Sequence, residues 1–243
     1  MNHMIDGLRA QLRDAVYELG DDGYAEATTP DNFSYPQHPC AVVRPCSAQQ
    51  VAAVVQAASR GGVTVMVQAT GHGAGRRVSR EEVLVDTSAL TQVTIDPTTR
   101  TANVGAGAMW PAVQQGALPH GLLGLSGTSP TVGVAGYTFG SGVGWLVRRY
   151  GLGAAALRSV AYVDGNGLLR LASEDADDPI DREALWAFRG GAPVGIATAI
   201  EISLFEVSDL ATGSLLWLAE SLPAVLQARC VSVRFADARS GRH

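Results

Sequence analysis

The chain has 243 residues, 47% of them hydrophobic, and a formal net charge of −5; that is enough apolar material for one large domain or two small ones. The charge is spread without a basic block, which argues against a nucleic-acid surface built on clustered cations. All 18 cationic side chains are arginine, and the absence of lysine excludes both a Walker-type phosphate loop and Schiff-base chemistry.

The opening run MNHMIDGLRAQLRDAVYELG carries acids and lacks the apolar core of a secretory signal. Met4, Leu8, Leu12 and Val16 recur every four residues and predict an amphipathic helix. DDGYAEATTPDNFSYPQHP is rich in turn formers and reads as loop. CAVVRP is a short strand. Ser47 and Gln50 then form a capping box before the helix VAAVVQAASR, which Gly61-Gly62 close. VTVMVQ is a β-branched strand leading directly into the loop ATGHGAG. VLVDTSAL reads as strand and turn, and TQVTIDPTTRTANVGAG as a hairpin turning at Asp96-Pro97. MWPAVQQGALPHGL starts a short helix with Pro111 in its first turn. The densest glycine segment follows, SGTSPTVGVAGYTFGSGVGWLVRRYGLG. VAYVDGNGLLRLAS is a second hairpin, DREALWAFRGG a helix with a glycine stop, and GIATAIEISLFEV a strand. No run is long enough to span a bilayer. The order is α+β rather than strict strand–helix alternation, which argues against a doubly wound dinucleotide fold.

Chemistry-bearing residues are sparse. Cys40, Cys46 and Cys230 are odd in number and lack a disulfide-scaffold spacing, so they read as reduced thiols in a cytoplasmic protein. His3, His38, His72, His120 and His243 are scattered, and no metal site is expected. Neither a hydrolase triad nor a glycosidase carboxylate pair stands out; Glu81-Glu82 and Asp177-Asp178 read as surface, and Arg148-Arg149 as a solvated helix face that could otherwise meet phosphates. The glycines are more suggestive. Gly71, Gly73 and Gly75 around His72, and Gly133, Gly136, Gly140, Gly142 and Gly144 later, let backbone N–H groups approach an anion closely. Either loop alone is equally well a set of turns, and neither completes G-x-G-x-x-G in a strand-to-helix context.

Taken in order, VQATGHGAG and LSGTSPTVGVAGYTFGSGVGWLVRRYGL, with AVVRP, VDTSAL, PHGLLG and LWAFRGG around them, resemble the flavin-binding half of berberine-bridge-enzyme-like oxidases. These belong to the vanillyl-alcohol-oxidase flavoprotein superfamily. The resemblance runs from about Cys40 to Val207 and implies a PCMH-type FAD-binding domain of two α+β subdomains with FAD between them. It places that domain at 1–207, with 1–34 as an N-terminal helix and loop, and makes 208–243 a truncated start of a substrate domain or an irregular tail. It implies that His72 bonds covalently to the flavin and that Thr70, Gly71, Gly73 and Ala74 surround the pyrophosphate. Gly127, Thr128, Ser129, Val132, Gly133, Val134, Gly136 and Gly142 match the second cofactor segment, and Ile196 a later backbone contact. Ser129 stands where doubly tethered members carry cysteine, so a single tether is implied. Ala155, Ala156 and the shortened RGGAPVG, in which Pro193 removes an N–H donor, depart from the family pattern.

Relatives of this kind continue into a substrate domain that holds most of their catalytic bases, so no base is assigned; the tail CVSVRFADARSGRH fits a truncation or a frame change. The implied activity is an FAD-dependent oxidase or dehydrogenase acting on a small molecule, with secondary metabolites among the candidates and a bacterial relative as the pattern. A partner chain or self-association would cover the flavin face, with no nucleic acid or membrane involved. Two alternatives stay open: an FAD-binding module without redox turnover, and a binding or assembly protein without flavin.

Overall fold

The structure is a computed structural model that describes residues 2–192, 194–207, 210 and 216–228. The chain divides into two compact units, Met1–Val207 and Ser208–His243. In the second, the described residues make a 3-10 turn, Ala219–Ser221, that continues as helix. The sequence features at Pro193, Cys230 and the final tail lie outside the described residues.

The first unit begins with α1 (Asn2–Leu12), which buries Ile5, Leu8 and Leu12. The four-residue repeat does not continue the helix to Val16. Arg13 adopts φ +48, which a right-handed helix cannot accommodate, and Val16 is buried from strand β1 (Val16–Tyr17) instead. The turn-rich segment after it is not wholly loop: α2 (Tyr24–Ala27) starts after Gly23 in a left-handed conformation. Then come β2 (Ala41–Val43), α3 (Ala48–Gly61), β3 (Thr64–Gln68) and β4 (Glu82–Asp86). Ser47 caps α3 by accepting from the Gln50 N–H at 3.3 Å, and Gly62 closes it at φ +64. The Gln50 side chain reaches back to the Cys46 N–H at 2.8 Å rather than to the cap residue, so the box is wider by one residue than the sequence predicts.

These strands form a four-stranded sheet in the order β1-β2-β4-β3, with the last three parallel. Its two faces explain the short apolar runs. Ala41, Val43, Val83 and Val85 point into the main core, while Val42 and Leu84 join Tyr24, Ala27 and Val78 in a smaller cluster on the other side. A parallel sheet covered on both faces needs hydrophobic residues at consecutive positions. The helix α2 supplies that second cover.

The second subdomain is antiparallel. Hairpin β5 (Val93–Asp96) and β6 (Thr101–Gly105) is followed by α4 (Trp110–Ala117), β7 (Leu122–Leu123), α5 (Val134–Phe139) and α6 (Val147–Tyr150). Hairpin β8 (Leu157–Asp164) and β9 (Leu169–Ser173), helix α7 (Pro179–Arg189), and strands β10 (Gly195–Ser203) and β11 (Phe205–Glu206) complete it. The five-stranded sheet runs β5-β6-β10-β8-β9, and β11 pairs with β7. Strand β10 lies at its centre, antiparallel to both β6 and β8. One continuous core, from Leu8 of α1 to Phe188 of α7, joins the two α+β subdomains.

Candidate functional site

Strand β3 runs out of the parallel sheet into the loop Ala69–Gly75, and this loop faces the glycine segment that carries α5. Between them lies a cleft of about 540 Å³. One wall is Val67, Gln68, Ala69 and the predicted Thr70, Gly71, His72, Gly73 and Ala74. The opposite wall is the predicted Gly127, Thr128, Ser129, Val132, Gly133, Gly136 and Gly142, with Tyr137, Gly140 and Val143.

Two residues named with this set stand elsewhere. Val134 is fully buried at the start of α5, where its N–H donates to the Ala108 carbonyl at 2.9 Å and anchors the helix behind the wall. Ile196 of β10 lines a separate, mainly apolar cavity of about 300 Å³ with Val55, Val63, Val65 and Val163. Strand β3 serves both spaces, Val67 in the cleft and Val65 in the cavity.

The first wall is shaped by a segment far away in sequence. Gly71 has φ +69, and a Cβ there would overlap Pro30. The Asp31 N–H donates to the Thr70 carbonyl at 2.9 Å, and the Asn32 N–H donates to the Gly71 carbonyl at 3.3 Å. The Asn32 side-chain amide donates to the Ala74 carbonyl at 2.9 Å. These contacts leave the N–H groups of Gly71 and Gly73 without a partner among the described residues. No atom lies within 4 Å of where a Cβ on Gly73 would stand. His72 is exposed, and its Nδ1 lies 3.7 Å from a carboxylate oxygen of Asp31.

The segment that follows this loop, Arg76 to Ser79, is held by a carboxylate that the sequence reads as surface. Glu82 is buried at the start of β4, with only 8% of its area exposed. It is forked by Arg76 at 2.6 and 3.1 Å and accepts from the Ser79 N–H at 2.7 Å. The Arg76 hydrogen bonds, then the Ser79 amide, pull its pKa down to about 2. An acidic side chain can enter the interior here because both oxygens are satisfied.

The second wall is organised around Tyr137, which sequence reasoning passes over. Its ring meets Trp110 edge-on, with centroids 5.4 Å apart and planes at 87°. A Cβ on Gly142 would overlap that ring, and one on Gly127 would sit 3.1 Å from it. Tyr137, like Phe139 and Trp145, is an aromatic residue in this glycine segment, and an aromatic ring set among glycines is the signal by which it could have been found. Its hydroxyl is buried without a partner among the described residues, and burial pushes its pKa up. Gly136 differs, with nothing within 4 Å of a Cβ placed on it.

His72 and Tyr137 are the only ionisable side chains on the described lining. Free amides, open glycines and one imidazole suit a large ligand with an anionic group; they do not make an acid–base pair. No group of three or more histidine, cysteine or acidic residues capable of holding a metal is found among the described residues. None of their helices is long and apolar enough to cross a membrane.

Comparison with known proteins gives the ligand a chemical identity. Residues 39–172 match the family described as FAD binding domain. The chain is 29% identical over 184 residues to (R)-6-hydroxynicotine oxidase of Paenarthrobacter nicotinovorans, covering 74% of this chain and 39% of that protein. It is 33% identical over 187 residues to berberine bridge enzyme-like 24 of Arabidopsis thaliana, covering 70% of this chain and 32% of that one. Among solved structures, a berberine-bridge-enzyme-like protein of Physcomitrella patens superposes with a TM-score of 0.75 at 27% identity, over 84% of this chain and 45% of that chain. The chain thus spans less than half the length of each of these three proteins.

Proposed function

Because the chain belongs to the FAD binding domain family and has the fold of its PCMH-type members, we propose that it is an FAD-dependent oxidoreductase that carries its flavin covalently on His72. The FAD-binding domain is read as residues 1–207, in a cytoplasmic setting supported by the free thiols Cys40 and Cys46. The single observation that carries the proposal is the cleft, which two glycine-bearing loops from different subdomains line together.

The residues present fit FAD. The unpartnered Gly71 and Gly73 amides and the open space at Gly73 would receive the pyrophosphate. Thr70, His72 and Ala74 would border it, with Gly127, Thr128, Ser129, Val132, Gly133, Gly136 and Gly142 opposite. Ile196, in the second cavity along β3, would hold an end of the cofactor distant from the cleft. When bound, the flavin supplies an acceptor for a hydride from a small-molecule substrate, with secondary metabolites among the candidates. The protein's part is to fix the ring. His72 anchors one edge, the bracketed loop holds the phosphates, and Tyr137 with its glycines fixes the spacing of the far wall.

A second reading, an FAD-binding module without redox turnover, is favoured by the openness of the rim. Val67 and Val143, which line the cleft, are both exposed, the latter by 68%. A hydride-transfer site excludes water, so turnover requires a cover over this rim, for which a partner chain or a second copy is one source. Two measurements separate the readings: flavin uptake, and anaerobic bleaching of the flavin band on adding alcohols or amines. Uptake with bleaching supports the oxidoreductase. Uptake without bleaching by any of them supports the module, and a protein that takes up no flavin contradicts both.

A further inference from the structure

The contact between His72 and Asp31 has no role in the cleft as described so far. Asp31 stands 41 positions before His72 in the chain, in the segment that grips the glycine loop by its backbone. Pro30 packs where a Cβ on Gly71 would be, and the Asp31 and Asn32 N–H groups donate to Thr70 and Gly71. Together with the Asn32 side-chain amide, which donates to the Ala74 carbonyl, these contacts fix the backbone on both sides of His72, and the Asp31 carboxylate lies 3.7 Å from one nitrogen of the imidazole, Nδ1. Both side chains are partly exposed, 50% and 40%, so rotation of either closes the remaining distance without disturbing the core. The imidazole of His72 has no other partner among the described residues; the His72 backbone N–H donates to the Thr70 hydroxyl at 3.3 Å.

We infer that Asp31 is the positioning residue for the tether, an inference that rests on His72 being the point of flavin attachment. A histidine attacks as a nucleophile only through a nitrogen that carries a lone pair, and the hydrogen bond at one ring nitrogen sets the tautomer at the other. Asp31 accepts a hydrogen bond from Nδ1–H, orients the ring, and leaves the lone pair on Nε2. The same carboxylate stabilises the positive charge that the imidazole gains as the bond forms. The balance is simple. One C–H bond of the flavin methyl and the Nδ1–H bond break and one Nε2–C bond forms; two electrons pass to dioxygen, and the two protons, one from the methyl and one from Nδ1, end on the hydrogen peroxide so formed. Asp31 itself is neither oxidised nor consumed. The backbone bracket and the carboxylate are separable, because Asn at position 31 keeps the N–H to Thr70 and nearly the same shape but loses the charge.

The test uses the full chain prepared without flavin and then mixed with FAD in air. Two quantities are read for the wild type and for Asp31→Asn, Asp31→Glu and His72→Ala. One is the dissociation constant from quenching of flavin fluorescence immediately after mixing. The other is the rate at which flavin becomes resistant to acid precipitation. Asp31→Asn should bind FAD with unchanged affinity and tether it about tenfold more slowly or worse, the lower range for losing the partner that orients a functional histidine. Asp31→Glu, which restores the carboxylate, should recover part of the rate. Asp31→Asn tethering as fast as the wild type would overturn the inference. So would a slowing matched by an equal loss of affinity, which would make Asp31 a binding residue only. If the wild type itself retains no flavin in the pellet, the attachment role of His72 fails, and the role of Asp31 fails with it. A wild type that tethers while His72→Ala tethers equally well moves the attachment elsewhere and also rejects the inference.

Discussion

The two glycine segments that face each other across the cleft look alike in sequence and differ in what their glycines are for. In the first, Gly71 is needed for its left-handed backbone and for Pro30, while Gly73 borders open space. In the second, Gly127 and Gly142 make room for Tyr137, and only Gly136 is left open. A glycine therefore marks a ligand approach only where no protein atom explains it. By that criterion the proposed function assigns Gly73 and Gly136 to the cofactor, whereas Gly142 already has a reason within the protein.

Substitutions can break this comparison directly. Gly142→Val should be the most damaging, because the new side chain must displace the Tyr137 ring from its contact with Trp110. A loss of roughly 2–3 kcal/mol is expected from such overpacking, read as a lower midpoint in denaturant melts without any flavin added. Gly73→Val should behave in the opposite way. Its stability should stay within about 0.5 kcal/mol of the parent, as for an unconstrained surface site, while FAD affinity falls about tenfold or more, roughly 1.4 kcal/mol. If both variants lose stability equally, the distinction between the loops is wrong.

Acid sharpens the comparison from another side, since a buried carboxylate holds the segment that follows the first loop. Glu82 has its folded-state pKa depressed to about 2. Its contribution is fully present above the ordinary carboxylate range and is lost as pH falls from that range toward 2. The expected loss is roughly 1–2 kcal/mol, the size of a charge-assisted hydrogen-bond set. Melts at descending pH should show it in the wild type, and Glu82→Gln should flatten that part of the profile. The smallest effect is the one with mixed sign. Gly136 lies inside α5 with free space around it, so Gly136→Ala should raise stability by about 0.5–1 kcal/mol. The same methyl group stands on the cleft wall and should weaken FAD binding. A variant that is more stable and binds FAD equally well would remove Gly136 from the site.

Much of the frame was legible in the sequence because its signals are local. The Ser47 cap, the Gly62 stop, the Asp96-Pro97 hairpin and the β-branched run of β3 each depend on residues a few positions apart. The loop at His72 and the wall from Gly127 to Gly142 were legible through their resemblance to known flavoproteins, and the fold brings them to one cleft. What escaped depends on contacts that no periodic or turn signal announces, some of them local and some long-range. Glu82 reads as surface until Arg76 and Ser79 fold over it. The stretch around Pro30 has the composition of any loop, and nothing periodic announces that it grips residues 40 positions later. Ile196 lies away from the cleft, on a second cavity that it lines together with Val65 of β3, a placement no local signal announces.

The central claim is that this cleft holds FAD and that His72 bonds to it. The most direct measurement is the absorption spectrum of the purified protein, taken before and after acid precipitation, for the wild type and for His72→Ala. A yellow pellet from the wild type and a colourless pellet with yellow supernatant from His72→Ala is the predicted result. Wild-type flavin that leaves entirely with the supernatant would contradict the tether, and a wild type that neither carries nor takes up flavin would contradict the assignment of the cleft itself.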